Sequence, residues 1–238
     1  MTRILYDLTL AEDRRPSPFC WRAKYALAHK GLEFEDRPVT FTEIPTLLGG
    51  GYKTVPILVD GERVISDSWA IADHLEAAYP DRPPLFASPA ERALCRFTEA
   101  WIFADVGTPL FMILVKDIHD HALPQDRAYF RESREKGLGR TLEEAVVGRE
   151  ERIEALRTGL GALRLTLSYQ QQRFLAGDAP GYADYIAAGV LLLAASVTTI
   201  PLLAADDPIV AWLERVRDLH GGLGRRHPMN ELVGSPAC

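Results

Sequence analysis

The spacing of hydrophobic residues changes several times along the first part of the chain, which predicts alternating strands and helices. The apolar run at residues 4–6 predicts a strand, and residues 18–30 carry apolar side chains at helical spacing up to Gly31. Apolar and charged residues then alternate over residues 32–41, which predicts a second strand interrupted by Pro38. The chain therefore begins with a β-α-β unit.

A hairpin and a helix are predicted next. Two apolar runs, residues 56–59 and 63–66, flank the dipeptide Asp60-Gly61, which suits the positive φ angles of a two-residue turn. Residues 67–79 follow with apolar side chains one helical turn apart, which predicts a helix. The β-α-β unit is thus followed by β-β-α.

Beyond the Pro-rich segment 79–86, the pattern predicts helices only. Ser88-x-x-Glu91 and Thr141-x-x-Glu144 have the sequence of capping boxes, so we expect each to open a long helix. Two further helices are predicted by their periodicity, at residues 182–197 and 208–219.

Composition and charge exclude several classes of protein. The 238 residues are 47% hydrophobic and 25% charged, which is typical of a globular protein with a large core. The net charge of −6 argues against a nucleic-acid partner, which would need clustered Lys and Arg. The charge-rich stretch 127–136 is interpreted as a solvated helix face.

Asp117, His119 and His121 lack a third well-spaced histidine, so we expect no metal site.

Neither disulfides nor membrane insertion are expected. Cys20, Cys95 and Cys238 form no Cys-x-x-Cys motif, so the sequence predicts neither a disulfide framework nor a zinc site, and a cytoplasmic location fits best. The N-terminus reaches charged residues too early for an export signal. The apolar stretch 186–205 contains Pro201 and is interpreted as a buried helix of a core rather than a membrane span.

Four segments, spread in order over most of the chain, resemble the glutathione transferases. They are SPFCWR at 17–22, TVPIL at 54–58, ISDSWAI at 65–71 and FLAGDAPGYAD at 174–184. Gly181 stands where that family has a capping Ser or Thr, and Asp184 is assigned a role in folding. Residues 17–27 and 67–69 also resemble the bacterial β-etherases, a branch that uses glutathione to cleave aryl ethers.

The resemblance implies a fold, a co-substrate and an assembly. The fold is an N-terminal thioredoxin-like α/β domain, residues 1–82, followed by an all-helical domain, residues 88–238. The co-substrate is glutathione, with no metal, flavin or nucleotide, and the protein is expected to form a homodimer.

Ser17 is the candidate for activating the glutathione thiol. It precedes Pro18 at the start of the first predicted helix, where a hydroxyl donor and the positive end of the helix dipole both favour a thiolate. Tyr6 is the rival hydroxyl and is interpreted as a packing residue. Cys20 stands three residues after Ser17, which leaves a glutathione-dependent thiol-disulfide oxidoreductase as an alternative.

Five residues are expected to bind glutathione. The family has a cis proline, matched by Pro56 after Val55, whose neighbouring backbone pairs with the cysteinyl part of the ligand. Asp67 and Ser68 open a helix whose free N–H groups suit the γ-glutamyl carboxylate, and Asp replaces the usual Glu. Lys53 is expected to pair with the glycyl carboxylate.

The second substrate is expected to be a hydrophobic aromatic molecule. Phe19, Trp101 and Phe111 are predicted to line its pocket, between the two halves of the chain. Asp105 is assigned by position to a γ-glutamyl ammonium group across a dimer interface. The reaction implied is attack of the thiolate on an electrophilic carbon, with β-aryl ethers as one substrate class. A binding or scaffold protein without activity is the other alternative.

Overall fold

The computed structural model describes residues 3–169 and 171–234, and its N-terminal half is built on one mixed sheet. The strands are β1 (Arg3–Leu8), β2 (Glu35–Val39), β3 (Ile57–Asp60) and β4 (Arg63–Ser66), with the helices α1 (Pro18–His29) and α2 (Ser68–Ala78). Their order in the sheet is β2-β1-β3-β4, with β2 parallel to β1 and the other pairs antiparallel. This is the thioredoxin-like arrangement that the sequence predicts.

Two details of the sheet differ from the sequence prediction. Pro38 lies within β2 instead of interrupting it, because β2 is an edge strand and an edge tolerates a missing N–H donor. Asp60 is the last residue of β3, paired with Arg63, so the two-residue loop is Gly61-Glu62 rather than Asp60-Gly61. Gly61 supplies the positive φ angle of 63° that this loop requires.

After β4, the described part of the chain contains helices and no further strand. In chain order these are α3 (Pro89–Ile102), α4 (Thr108–His121), α5 (Pro124–Leu138), α6 (Leu142–Ala145), α7 (Arg149–Gly159), α8 (Gly161–Tyr169), α9 (Tyr182–Val197) and α10 (Pro208–Gly222). A π-helical turn, Phe103–Gly107, joins α3 to α4. The α10 backbone leaves helical angles at Leu219, close to its predicted end.

The predicted helix caps form, but they open helices of very different length. The Ser88 hydroxyl accepts a hydrogen bond from the Glu91 N–H and begins the 14-residue helix α3. Thr141 and Glu144 form a complete capping box. The helix that it opens, α6, has only four residues, so the prediction of a long helix there is wrong. Gly148, at φ 67°, turns the chain before α7 begins.

Helix α9 is the centre of the core. All 16 of its residues are buried, and it packs against α1 and α3. This confirms the interpretation of the apolar stretch from residue 186 as a core helix. In the ranges 3–169 and 171–234, the stretch Pro89–His121 alone has the length and apolar composition to cross a bilayer. Core helices of globular proteins also satisfy these two criteria.

Candidate active site

A cavity of about 500 Å³ lies between the sheet domain and the helical domain. The N-terminal half contributes the start of α1 and the loops before β3, and the helical half contributes the π-helical turn, α4 and α5. Six aromatic side chains line it: Phe19, Phe41, Phe103, Phe111, Tyr129 and Phe130. An apolar cleft with a few polar groups suits an aromatic ligand.

Ser17 stands in the lining of this cavity as the N-cap of α1. Its hydroxyl oxygen accepts a hydrogen bond from the Cys20 N–H at 3.2 Å, and Pro18 follows at the first helical position. Because the oxygen serves as the cap acceptor, the hydroxyl proton remains available to a group in the cavity. A thiolate beside Ser17 would also lie at the positive end of the helix dipole.

Lys53 and Val55 line the same cavity as Ser17, on the loop before β3. The Val55–Pro56 peptide bond is cis, as the resemblance implied. Lys53 is exposed and has no ion pair within the described ranges, so its charge is available to a ligand carboxylate. The loop thus brings one cation and the backbone at Val55 into the cavity that Ser17 lines.

Asp67 and Ser68 lie outside the cavity lining but next to the cis proline, since the Asp67 N–H donates to the Pro56 carbonyl at 3.4 Å. Asp67 has a φ of 85°, and one of its carboxylate oxygens accepts from the Trp69 and Ala70 N–H groups. The helix end is therefore capped by Asp67 itself, and fewer N–H groups remain for a ligand than the sequence predicts.

Ser68 is 2% exposed, and Arg22 of α1, which sequence reasoning missed, lies behind it. The buried guanidinium of Arg22 donates to the Ser68 hydroxyl at 3.4 Å and forms an ion pair with Glu99 of α3. It also lies 5.1 Å from the centre of the Phe19 ring. Arg22 follows Phe19 by three residues, so both lie on one face of α1. This spacing was the one signal in the sequence that could have indicated Arg22.

Phe19 and Phe111 line the cavity, whereas Trp101 does not. Phe19 stacks on Phe103, with ring centres 5.2 Å apart. Trp101 precedes Phe103 by two residues, and successive helical residues are rotated by about 100°, so the two side chains leave the helix on opposite sides. Trp101 instead shares the outer face of α3 with the exposed Leu94 and Phe97.

The charged stretch of α5, interpreted from sequence as a solvated face, contributes part of the cavity. Phe130 is buried, and Arg134 lines the cavity one turn further along the same face. Phe130 is the one large apolar side chain buried on this helix within its described range, which explains why the hydropathy pattern concealed the buried face.

The rival groups Tyr6 and Cys20 are both buried outside the cavity lining. The Tyr6 hydroxyl accepts a hydrogen bond from Arg37. Burial raises the pKa of the Cys20 thiol well above its usual value, and the Asp7 carboxylate adds to the effect. A thiol that resists ionisation in this way is a poor nucleophile. Cys238 lies outside the described residues.

The polar residues at the end of α4 are engaged in ion pairs. Asp117 pairs with Arg149 at 2.8 Å, and Asp120 pairs with Lys116 at 2.7 Å. Within the described ranges, no three His, Cys, Asp or Glu side chains gather as metal ligands do.

Family models match both halves of the chain. The model of the C-terminal domain of glutathione S-transferase matches residues 93–221, and that of the N-terminal domain matches residues 13–83. The chain belongs to the glutathione S-transferase family. As such a transferase, the protein takes glutathione as its co-substrate.

Relatives in plants and fungi match most of the chain. Glutathione S-transferase 1 of Dianthus caryophyllus is 29% identical over 204 residues, which cover 83% of this chain and 81% of that protein. Glutathione transferase GSTFuA2 of Phanerochaete chrysosporium is 27% identical over 94% of both chains, with a TM-score of 0.73. A glutathione S-transferase of Ceriporiopsis subvermispora, solved with glutathione, is 26% identical over 81% of this chain and 84% of its own, with a TM-score of 0.71.

Proposed function

We propose that the protein is a serine-type glutathione transferase in which Ser17 holds the glutathione sulfur as a thiolate. The observation that carries this proposal is the position of Ser17, a helix N-cap in the lining of a cavity that six aromatic side chains also line, between the two domains. The hydroxyl donates to the thiolate, and the helix end stabilises its negative charge. The catalytic contribution of the protein is thiol activation and positioning.

Glutathione lies along the loop before β3 in this proposal. Lys53 pairs with the glycyl carboxylate, and the backbone at Val55 and Pro56 hydrogen-bonds the cysteinyl part. The γ-glutamyl end reaches the start of α2, where one Asp67 oxygen and the Ser68 N–H have no partner among the described residues. The Asp67 carboxylate suits the ammonium group of the ligand, and the N–H suits its carboxylate.

The second substrate is an aromatic electrophile that packs against Phe19 and Phe111. The thiolate attacks an electrophilic carbon, a C–S bond forms, and the leaving group departs with its electron pair. In the β-etherase version of the reaction, the bond that breaks is an aryl ether C–O bond and the leaving group is a phenolate. The aromatic lining supports this substrate class.

Two alternatives are weaker. A glutathione-dependent thiol-disulfide oxidoreductase would need an accessible, acidic Cys20, whereas this thiol is buried and its pKa is raised. In a scaffold protein without activity, Ser17 would serve only as the cap of α1. Its position in the lining of an open cavity that Lys53 also lines favours an enzyme.

Replacement of Ser17 tests the proposal. With glutathione and either 1-chloro-2,4-dinitrobenzene or a β-aryl ether, we expect Ser17→Ala to slow transfer by about one to three orders of magnitude. The same variant should raise the pKa of the bound thiol, measured by its thiolate absorbance. Ser17→Thr keeps the hydroxyl and is the matched control. Turnover of the chloroarene alone would exclude the β-etherase assignment, and equal rates for Ser17→Ala and the unaltered protein would overturn the role of Ser17.

We also propose that the protein is a cytoplasmic homodimer whose interface includes the outer face of α3. Within each chain, the boundary between the two domains is placed at residues 82–88. Phe97 is 70% exposed and Leu94 58% exposed, and Trp101 continues the same apolar stripe. Asp105, exposed beyond Trp101, lies at the end of this stripe, where a partner's ligand would be within reach. In sedimentation experiments, Phe97→Glu should shift the protein towards a monomer, whereas Leu165→Glu, exposed on α8, should not. A monomer before any substitution would refute the proposal.

A further inference from the structure

The charges around the cavity are all positive, although the protein as a whole is acidic. Of the 19 residues that line it, Lys53 and Arg134 are the charged ones, and no carboxylate is among them. The full sequence has a net charge of −6. A cavity with two cations and no anion is therefore suited to a ligand that carries negative charge.

Arg134 has no carboxylate partner in the part of the chain that the structure describes. Its guanidinium lies over the rings of Phe130 and Phe41, 4.7 and 5.7 Å from their centres. Among the described residues, its one hydrogen bond is from Nη1 to the Ser133 hydroxyl, at 3.1 Å. Since a guanidinium has five N–H donors, most of its hydrogen-bonding capacity is unused.

The nearest acid on the same face of α5 is already engaged. Asp126 precedes Arg134 by eight residues, and its carboxylate accepts hydrogen bonds from the Phe41 N–H, the Thr42 N–H and the Thr42 hydroxyl. These bonds fix the loop that holds Phe41 beside Arg134. Burial lowers the pKa of Arg134, as expected for a cation without a neighbouring anion, but an arginine stays charged at neutral pH.

We infer that Arg134 binds a carboxylate on the aromatic second substrate. The inference rests on the proposed function, in which Lys53 is occupied by the glycyl carboxylate of glutathione and Arg134 remains for the other ligand. A guanidinium fork matches a carboxylate in two parallel hydrogen bonds, and the rings of Phe41 and Phe130 shield that contact from water. The preferred acceptor is therefore an aromatic acid with a leaving group.

A pair of acceptors with the same reacting carbon tests this specificity. One is 4-chloro-3-nitrobenzoate and the other is its neutral methyl ester. In both, the glutathione sulfur displaces chloride, which leaves with its electron pair, so the pair differs only in the carboxylate. We expect Arg134→Met to lower kcat/KM for the acid by about 10- to 100-fold and for the ester by less than about threefold. For Arg134→Lys, the loss of kcat/KM for the acid should be smaller than for Arg134→Met, because lysine offers a charge without the guanidinium fork.

Lys136→Met is the matched control, since it removes an equal charge from the exposed side of the same helix. This variant should leave kcat/KM for both acceptors unchanged. Equal losses for acid and ester in Arg134→Met, or the same selective loss in Lys136→Met, would overturn the assignment.

A binding measurement separates this inference from the proposed function. 3-Nitrobenzoate has no leaving group, and its affinity can be titrated by quenching of tryptophan fluorescence in the presence of glutathione. We expect Arg134→Met to weaken its binding by about tenfold or more, with the affinity for glutathione unchanged. If no acceptor is turned over but this difference holds, the transferase proposal fails and the anion site stands. If both proteins bind 3-nitrobenzoate equally, the anion site is refuted whatever the activity.

Discussion

The backbone of Pro18 lies against Gly189, so that the helical domain supports the residue next to Ser17. A Cβ atom at Gly189 would lie 2.6 Å from the Pro18 carbonyl oxygen, closer than a carbon atom can approach. Gly189 lies in the fully buried helix α9, where glycine is less favourable than alanine by about 1 kcal/mol. The close approach of α1 to α9 explains why a glycine stands there.

Gly189→Ala should therefore displace the start of α1. We expect a loss of about 1–3 kcal/mol in the free energy of unfolding, because the added methyl group overpacks the contact. We also expect kcat/KM to fall by about tenfold as the Ser17 hydroxyl shifts from the thiol. Urea denaturation and the chloroarene assay measure the two effects. Gly137→Ala, on α5 with nothing near its Cβ position, is the control and should be neutral or stabilising. A Gly189→Ala protein with unchanged activity would show that α9 does not position Ser17.

Cys20→Ala should leave the transferase reaction almost unchanged. The Cys20 side chain is buried with a raised pKa. Its backbone N–H, which donates to the Ser17 hydroxyl, is retained in alanine, and the substitution removes the side-chain hydrogen bond between the thiol and Ser17. We expect kcat/KM within about threefold of the unaltered protein and a stability loss of about 1 kcal/mol for the missing sulfur. If the variant loses a glutathione-disulfide exchange activity that Ser17→Ala keeps, the oxidoreductase alternative is correct.

His220 should make the protein less stable as the pH falls. Burial lowers its pKa to about 4, and the neighbouring His29 contributes. The pKa of an unfolded histidine is about 6.5, so between these two values the unfolded chain binds more protons than the folded one. This part of the stability is thus complete above about pH 6.5 and is lost progressively down to about pH 4.

His220→Asn should remove much of that pH dependence. Asparagine accepts the positive φ of 52° at this position and does not titrate. Between neutral pH and about pH 5, we expect the unaltered protein to lose on the order of 1 kcal/mol more than the variant, since the site is partly exposed. Denaturation curves at several pH values give the comparison, with His121→Asn on α4 as the control. Parallel pH profiles for the unaltered protein and His220→Asn would contradict the prediction.

Asp184 should be essential for folding and dispensable for chemistry. Its buried carboxylate accepts from the Leu175 and Gly181 N–H groups and, at 2.8 Å, from the Trp212 indole. Asp184→Ala leaves these donors unpaired, and we expect a loss of about 3–5 kcal/mol in the free energy of unfolding. Trp212→Phe removes one donor and should be milder, at about 1–3 kcal/mol. The KM for glutathione of the folded fraction should stay the same; a raised KM would place Asp184 in the functional site.

The sequence by itself determined the elements and the family. Helix α1, helix α9 and the hairpin β3–β4 follow from side-chain periodicity and capping residues, which act within a few residues of chain. The errors have separate causes. Pro38 is tolerated within β2 because β2 is an edge strand, which only the sheet topology reveals, and Gly148 turns the chain soon after the capping box at Thr141. The segment that contains Ser17 predicted the start of α1 and its hydroxyl cap.

Only the tertiary structure decided which side chains share the cavity. From the sequence, Arg134 is predicted to be a surface charge. Its position next to Phe41 arises from contacts between segments more than 80 residues apart. Trp101 and Phe103 are two residues apart on one aromatic stretch, yet the packing of α3 places only Phe103 in the lining. Periodicity shows that a helix has a buried face, but the neighbour that buries it depends on how distant elements pack, which no local pattern encodes.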